Sequence, residues 1–312
     1  LTEVVVRATD TLETLERKVK LATILGTIQS TYTHFPYLRK VWKDNTEAER
    51  LLGVSLTGIM DSPLLNGKID KDAGVSFYHT NDESMTLSQV LEHLKNVAIA
   101  TNTEWAECLG IPTSAAITCV KPSGTVSQLV DSASGIHARH SAYYIRTVRG
   151  DNKDPLTQFM KDQGIPSEPD VMKPDATTVF SFPMKSPVGA VTRNDMTAIE
   201  QLELWLTYQR HWCEHKPSVT ITVRDNEWME VGAWVFKYFD EVSGVSFLPH
   251  SDHSYQQAPY QECSEREYLD ALAIMPARID WSKLSEYETE DTSKGTSTFA
   301  CSGGSCEIVD LV

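Results

Sequence analysis

Two short stretches of this chain combine residue types and spacings that suit chemistry, AAITCVKPSGTVSQL at 115–129 and CSGGSC at 301–306. In the first, the apolar run from Ala115 to Val120 stops at Lys121-Pro122-Ser123-Gly124-Thr125. Proline fits the first turn of a helix because its missing N–H would have no partner there, and Ser123, Gly124 and Thr125 expose backbone donors at that helix's start. Such an end binds phosphate through N–H groups and the helix dipole, with the hydroxyls of Ser123, Thr125 and Ser127 adding donors. The spacing alone equally fits a strand-to-helix turn chosen only for capping. It is not a Walker A loop, because its lysine precedes the glycine and the second glycine is absent.

In the second stretch, Cys301 and Cys306 flank Gly303 and Gly304, so a tight turn brings the thiols within disulfide geometry. So short a loop near a chain end restricts little of the unfolded state, and two cysteines are not a zinc site. The pair reads as a redox-active dithiol, with inert exposed thiols as the alternative. The preceding segment, Thr292 to Ser305, is rich in Ser, Thr and Gly and reads as a flexible arm. About 20 such residues span ~25 Å, enough to visit a buried site and also meet an external reductase.

Other groupings are weaker. His211 and His215 share a helix face, but Cys213 between them points elsewhere and HWCEH lacks a zinc protease's glutamate placement, so no metal site is expected. Cys108, Cys119, Cys213 and Cys263 are scattered and read as small buried hydrophobes. Trp205, Trp212, Trp228 and Trp234 sit at helical spacings and read as core.

The elements that must position these residues belong to a chain of 312 residues with 28 Lys plus Arg against 43 Asp plus Glu, a formal charge of −15. That balance opposes binding of a nucleic-acid polymer. No apolar stretch approaches the ~20 residues a membrane span needs, and no signal-peptide layout opens the chain, which implies a cytoplasmic protein. A Leu at position 1 suggests a processed, excised or incomplete product. The acidity is uneven, with 11 acidic and 4 basic residues from Glu262 onward, whereas 136–149 holds His137, Arg139, His140, Arg146 and Arg149 with no acid. An acid-free basic segment in an acidic protein points to a small anionic ligand.

Apolar periodicity predicts helices over about 12–30, 86–109, 196–215 and 227–239, the first with Asp10 and Glu13 in capping-box positions. Strands are predicted within 51–60, 115–120, 177–184, 218–223 and 244–248. Strands separated by helices favour an α/β fold with a largely parallel sheet.

Taken together, three stretches resemble the catalytic subunit of ribonucleotide reductases, and more narrowly the monomeric adenosylcobalamin-dependent ribonucleoside-triphosphate reductases of class II. They are TCVKPSGTVSQLVDSASGIHARHSAYYIRTVRGDN (118–152), LELWLTYQRHWCEHKPSVTITVRDNEWMEV (202–231) and CSGGSC (301–306). Class I is disfavoured because Tyr143-Tyr144 follow the KPSGT turn instead of lying near the C-terminus, and class III because no glycyl-radical motif appears. The resemblance implies the C-terminal half of a ten-stranded α/β barrel over 1–290, with a flexible C-terminal dithiol arm over 291–312. Pro122, Ser123, Gly124, Thr125, Val126 and Ser127 would hold the substrate phosphates. Cys301 and Cys306 would re-reduce the active-site disulfide and be reduced in turn by thioredoxin or a glutaredoxin-like protein. Corrin contacts would fall in 135–196 and 255–294.

The resemblance also implies what is missing. No Asn-Pro-Cys occurs, and LTEVVVRATDTLETLE resembles the segment that follows the family's second reducing cysteine. The expectation is therefore a half-enzyme that needs an N-terminal partner half, reduces no ribonucleoside triphosphate alone and self-associates through unpaired strand edges. Two alternatives remain: a non-catalytic nucleotide- or cobalamin-binding module with a regulatory thiol pair, and a fragment of a class I ribonucleoside-diphosphate reductase.

Overall fold

A computed structural model describes residues 1–68, 77–80, 83–250, 255–289, 297–302 and 305–310, with side chains described for 1–68, 85–250 and 255–289. In chain order the elements are β1 (Thr2–Val5), α1 (Leu12–Gln29), α2 (Lys40–Glu49), β2 (Val54–Thr57), β3 (Phe77–Thr80), β4 (Glu83–Thr86), α3 (Leu87–Leu109), β5 (Thr118–Cys119) and α4 (Val126–Leu129). They continue with β6 (Tyr143–Asp151), α5 (Pro155–Asp162), β7 (Ser167–Pro169), β8 (Thr177–Lys185), α6 (Ala198–His211), β9 (Val219–Val223), α7 (Trp228–Lys237) and β10 (Val245–Pro249). The last are β11 (Tyr260–Glu262), α8 (Glu265–Ala273), β12 (Ser297–Ser302) and β13 (Ser305–Asp310). Two discontinuous compact units result: 1–139 with 187–250, and 140–186 with 251–312. The sequence reading drew no division inside 1–290.

The first unit is the α/β part. Strands β1, β2 and β5 pair in parallel in that order, and β9 pairs in parallel with β10. Backbone bonds stitch the two sheets: Ser218 N–H donates to Val120 O at 3.0 Å, and the N–H groups of Glu214 and His215 each donate to Thr118 O at 3.0 Å. Strand alternation sends Val4, Val54 and Leu56 into one core with Leu15 and Val19 of α1, Leu91 and Leu94 of α3, and Trp205 and Tyr208 of α6. Each such buried side chain returns about 1.5–3 kcal/mol, which offsets the ordering of the strands. The opposite face carries Glu3, Ser55 and Cys119 side by side in register.

Helix starts follow local chemistry closely. Thr86 and Gln89 close a capping box on α3, as do Thr197 and Glu200 on α6. On α1 the expected Asp10–Glu13 box is replaced by Thr11 and Thr14. Asp10 sits one residue too early to cap; it accepts from the Thr14 hydroxyl at 2.9 Å and pairs with Lys18 at 2.6 Å.

The second unit corrects the expectation of a largely parallel sheet, because its four strands run antiparallel in the order β11-β6-β8-β7. Its corner is locked by polar side chains. Asp170 accepts from Arg149 Nε at 2.8 Å, Met172 N–H at 2.9 Å and Lys173 N–H at 3.0 Å. Gln257, buried at φ 59°, donates to Glu168 at 2.9 Å and Pro169 O at 2.8 Å and accepts from Val171 N–H at 2.9 Å. Within the stretch expected as a flexible arm, β12 and β13 pair antiparallel with Cys301 opposite Cys306. The remainder of that stretch, Gly303 and Gly304 included, and the side chains of both cysteines lie outside the described residues.

Candidate phosphate site at the 121–127 turn

The turn leaves β5 at its C-terminal end, where parallel sheets of α/β proteins commonly bind ligands. Lys121 N–H is held by Ser55 Oγ at 3.0 Å, and Ser123 then turns the chain with φ 56°. A non-glycine residue in that left-handed region is strained, and its neighbours must hold it there. Ser127 N–H donates back to Ser123 O at 3.0 Å, which closes the turn. The N–H groups of Ser123, Gly124, Thr125 and Val126 find no acceptor among the described residues. The Ser123 hydroxyl is shielded from solvent and also has no partner among the described residues. Consecutive outward N–H groups around a left-handed residue form a concave donor cradle for an anion.

Beneath the turn lies the loop 130–135. Ser134 Oγ meets Ser127 Oγ at 2.6 Å, so the expected donor Ser127 is fully buried and engaged internally. Gly135 has φ 54°, and a Cβ there would lie 2.4 Å from Lys121 O, so only glycine lets the loop approach so closely. Thr57 Oγ1 donates to Ala133 O at 3.0 Å and accepts from Gly135 N–H at 3.0 Å. Asp61, within a single 3-10 turn at Ile59–Asp61, accepts from Ala133 N–H at 2.8 Å.

The basic segment 136–149 is not the open cationic patch that its composition suggests. Arg139 is buried, with Nε on Asp61 at 2.8 Å and Nη1 on Asp131 at 3.1 Å, and Arg149 is held by Asp170 at 2.8 Å. Arg146 lies 4.3 Å over the Tyr260 ring, which stacks on His140. Burial pushes the His137 pKa below its ordinary 6.5. Neutral His137 then donates from Nδ1 to Ser134 O at 2.8 Å and accepts at Nε2 from Thr220 N–H at 3.0 Å. The acids that neutralise this segment come from elsewhere in the chain, which a local count misses. What remains positive beside the turn is Lys121, exposed and in no ion pair with a described residue.

The weaker groupings also resolve. His211 turns to Glu92 at 2.7 Å and His215 to Leu52 O at 2.7 Å, so the two do not converge. Cys119 and Cys213 are buried, and burial raises the Cys119 thiol to about 11 and Cys213 well above its ordinary range, which disfavours thiolate chemistry. Cys108 is exposed and Cys263 half-buried, against the expectation of burial for all four. Trp205, Trp212 and Trp234 are core, but Trp228 is 39% exposed at the start of α7.

No family model matches the chain. It is 27% identical, over 88% of its length and 39% of the relative's, to an adenosylcobalamin-dependent ribonucleoside-triphosphate reductase of Lactobacillus delbrueckii subsp. bulgaricus. A probable enzyme of the same name from Dictyostelium discoideum is 28% identical over 96% of this chain and 37% of the relative. The chain is a relative of the adenosylcobalamin-dependent ribonucleoside-triphosphate reductases. It spans about two fifths of the length of these reductases. The crystal structure of a B12-dependent class II ribonucleotide reductase superposes with a TM-score of 0.72 at 22% identity, covering 88% of this chain and 40% of that one, and shares its α/β fold. Among the described residues, no helix is long and apolar enough to cross a membrane.

Proposed function

We propose that this chain is the C-terminal half of the catalytic chain of an adenosylcobalamin-dependent ribonucleoside-triphosphate reductase. In that reading it holds the substrate phosphates, faces the cofactor and carries the terminal redox thiols. The observation that carries the proposal is the turn at Ser123–Val126, with its unpaired N–H groups and orphaned Ser123 hydroxyl. A buried polar group without a partner costs about 1–3 kcal/mol, which a bound phosphate oxygen recovers. Backbone donors suit a triphosphate in a chain of charge −15, because they attract it without a long-range cationic field. The five parallel strands β1, β2, β5, β9 and β10, in sheets of three and two, match the number that half of a ten-stranded barrel would contribute.

Cofactor binding is assigned to the second unit, 140–186 with 251–312, which shares 140–186 and 255–294 with the expected corrin segments; 135–139 and 187–196 fall in the first unit. Its residues suit a corrin. The groups the unit offers are the His140 ring, which stacks on Tyr260, and Arg146, whose buried Nε has no partner among the described residues and would donate to a carboxamide arm. When bound, adenosylcobalamin supplies the radical that initiates reduction. The protein's own task in this half is to fix the triphosphate, exclude water around it and deliver reducing equivalents.

Delivery falls to Cys301 and Cys306, opposite one another in β12 and β13. One thiolate attacks the active-site disulfide to form a mixed disulfide, and the second thiol displaces it. Two electrons and two protons pass to the active-site pair and the terminal pair ends oxidised. A thioredoxin- or glutaredoxin-like dithiol then reduces it. The test is reconstitution with an N-terminal half, adenosylcobalamin, a ribonucleoside triphosphate and a reductant. Deoxyribonucleotide should form, and Cys301→Ser should abolish thioredoxin-driven turnover while dithiothreitol-driven turnover persists. Thioredoxin-driven turnover unchanged in Cys301→Ser would sink the tail assignment. Tight cofactor and nucleotide binding with no turnover in any combination would replace the enzyme reading with a binding module.

A further inference from the structure

The turn that offers phosphate its donors holds a strained Ser123 and is bonded to the rest of the protein at few points, so something below it must set its shape. Asp61 and Arg139 lie beneath it, 2% and 5% exposed. Asp61 Oδ1 accepts from Arg139 Nε at 2.8 Å, and Oδ2 accepts from Arg139 Nη2 at 2.9 Å and from Ala133 N–H at 2.8 Å. Arg139 continues to the Asp131 carboxylate at 3.1 Å and to Asp131 O at 3.3 Å. Arg7 adds bonds to Asp131 O at 2.7 Å and Val130 O at 2.6 Å. A buried ion pair returns little net stability, because desolvation costs about what the attraction gives back. This pair instead spends its hydrogen bonds on the backbone of 131–133, the loop whose next residues, Ser134 and Gly135, touch Ser127 and Lys121.

The structure assigns Asp61 and Arg139 as positioning residues of the phosphate turn: they fix the 131–135 loop, and that loop fixes Ser127 and the open N–H groups of Ser123–Val126. The assignment rests on the reading of that turn as a phosphate site. Neither side chain is assigned a contact with the ligand. They act by pre-organisation, so that binding does not have to order the turn.

The experiment titrates inorganic tripolyphosphate into the full chain, followed by backbone amide NMR, for wild type, Asp61→Asn, Arg139→Gln and Ser134→Ala. Wild type should respond at Ser123, Gly124, Thr125 and Val126; no response there defeats the phosphate reading itself, and this assignment with it. If that reading holds, Asp61→Asn and Arg139→Gln should weaken tripolyphosphate by about tenfold or more. In the ligand-free state their amide shifts should move at 121–135 and stay unchanged in α6. Ser134→Ala leaves the ion pair intact and should give a smaller loss of the same kind. Affinities within about twofold of wild type in the folded variants would overturn the assignment. So would losses that follow shift changes spread through the whole chain, since those report a general structural role. Should the two ion-pair variants fail to fold, Ser134→Ala decides alone, and unchanged affinity in it overturns the proposal.

Discussion

The 121–127 turn and the corner around Asp170 and Gln257 are built from similar parts, and they end in opposite states. Both use a non-glycine residue at positive φ, Ser123 in one and Gln257 in the other, and both expose runs of backbone N–H groups. At the corner those groups are consumed: Asp170 takes Met172 and Lys173, and Gln257 takes Val171. At the turn they remain open, and a side-chain hydroxyl is left without a partner as well. The corner spends its donors on its own fold, whereas the turn keeps exposed backbone donors free for a ligand and carries the cost of one buried hydroxyl with no partner among the described residues.

The largest break in this contrast should come from Gly135→Ala. The added Cβ meets Lys121 O at 2.4 Å in a left-handed backbone, so a loss of about 2–4 kcal/mol and collapse of tripolyphosphate binding are expected, read by thermal melts and titration. Retained stability would mean the loop has another way to sit. Next, Asp170→Ala should cost about 1–3 kcal/mol by stranding Arg149 and two N–H groups, with tripolyphosphate affinity unchanged.

Asp170 also sharpens the comparison through pH. Burial opposes its ionisation, but the hydrogen bonds from Met172, Arg149 and Lys173 outweigh burial and hold the carboxyl below its ordinary 3.8. A carboxylate depressed in the folded state contributes stability above its unfolded pKa and loses it as pH falls through the folded value. Acid unfolding of wild type should therefore contain a component near and below pH ~4 that is missing in Asp170→Asn.

At the turn, Ser123→Ala should raise the melting midpoint, because it removes a buried hydroxyl with no partner among the described residues, and should weaken tripolyphosphate about tenfold. A clear loss of stability with unchanged affinity would reverse the contrast. The smallest effect belongs to His137, whose pKa burial lowers. Its neutral form is required in the fold, so stability should decline as pH drops below ~6.5, and His137→Gln should flatten that slope in denaturant titrations.

Much of this was legible in the sequence where the signal is contiguous. The helices 12–29 and 87–109 and the strands at 54–57 and 118–119 follow from local periodicity and capping chemistry. By contrast, β1 was not predicted, and Pro122, expected in the first turn of a helix, lies four residues ahead of α4, whose N-cap Thr125 makes no side-chain cap. The state of the basic segment was not legible. Arg139 and Arg149 read as available cations until Asp61, some 80 residues away, and Asp170 are brought to them. β6 was missed for a related reason: its arginines interrupt the apolar alternation, and their pairing is visible only in three dimensions. The capping shift on α1 is a one-residue matter, decided by which side chain, Asp10 or Thr11, stands at the last non-helical position.

By itself, then, the sequence determined where donors could cluster, where helices begin and which reductases the chain resembles, because these depend on residues adjacent in the chain. Tertiary structure alone decided which polar groups stay open. Whether Ser127 is a ligand donor or a strut, and whether an arginine is a binding site or a buried support, depends on partners far away in sequence, and burial makes every such pairing all or nothing.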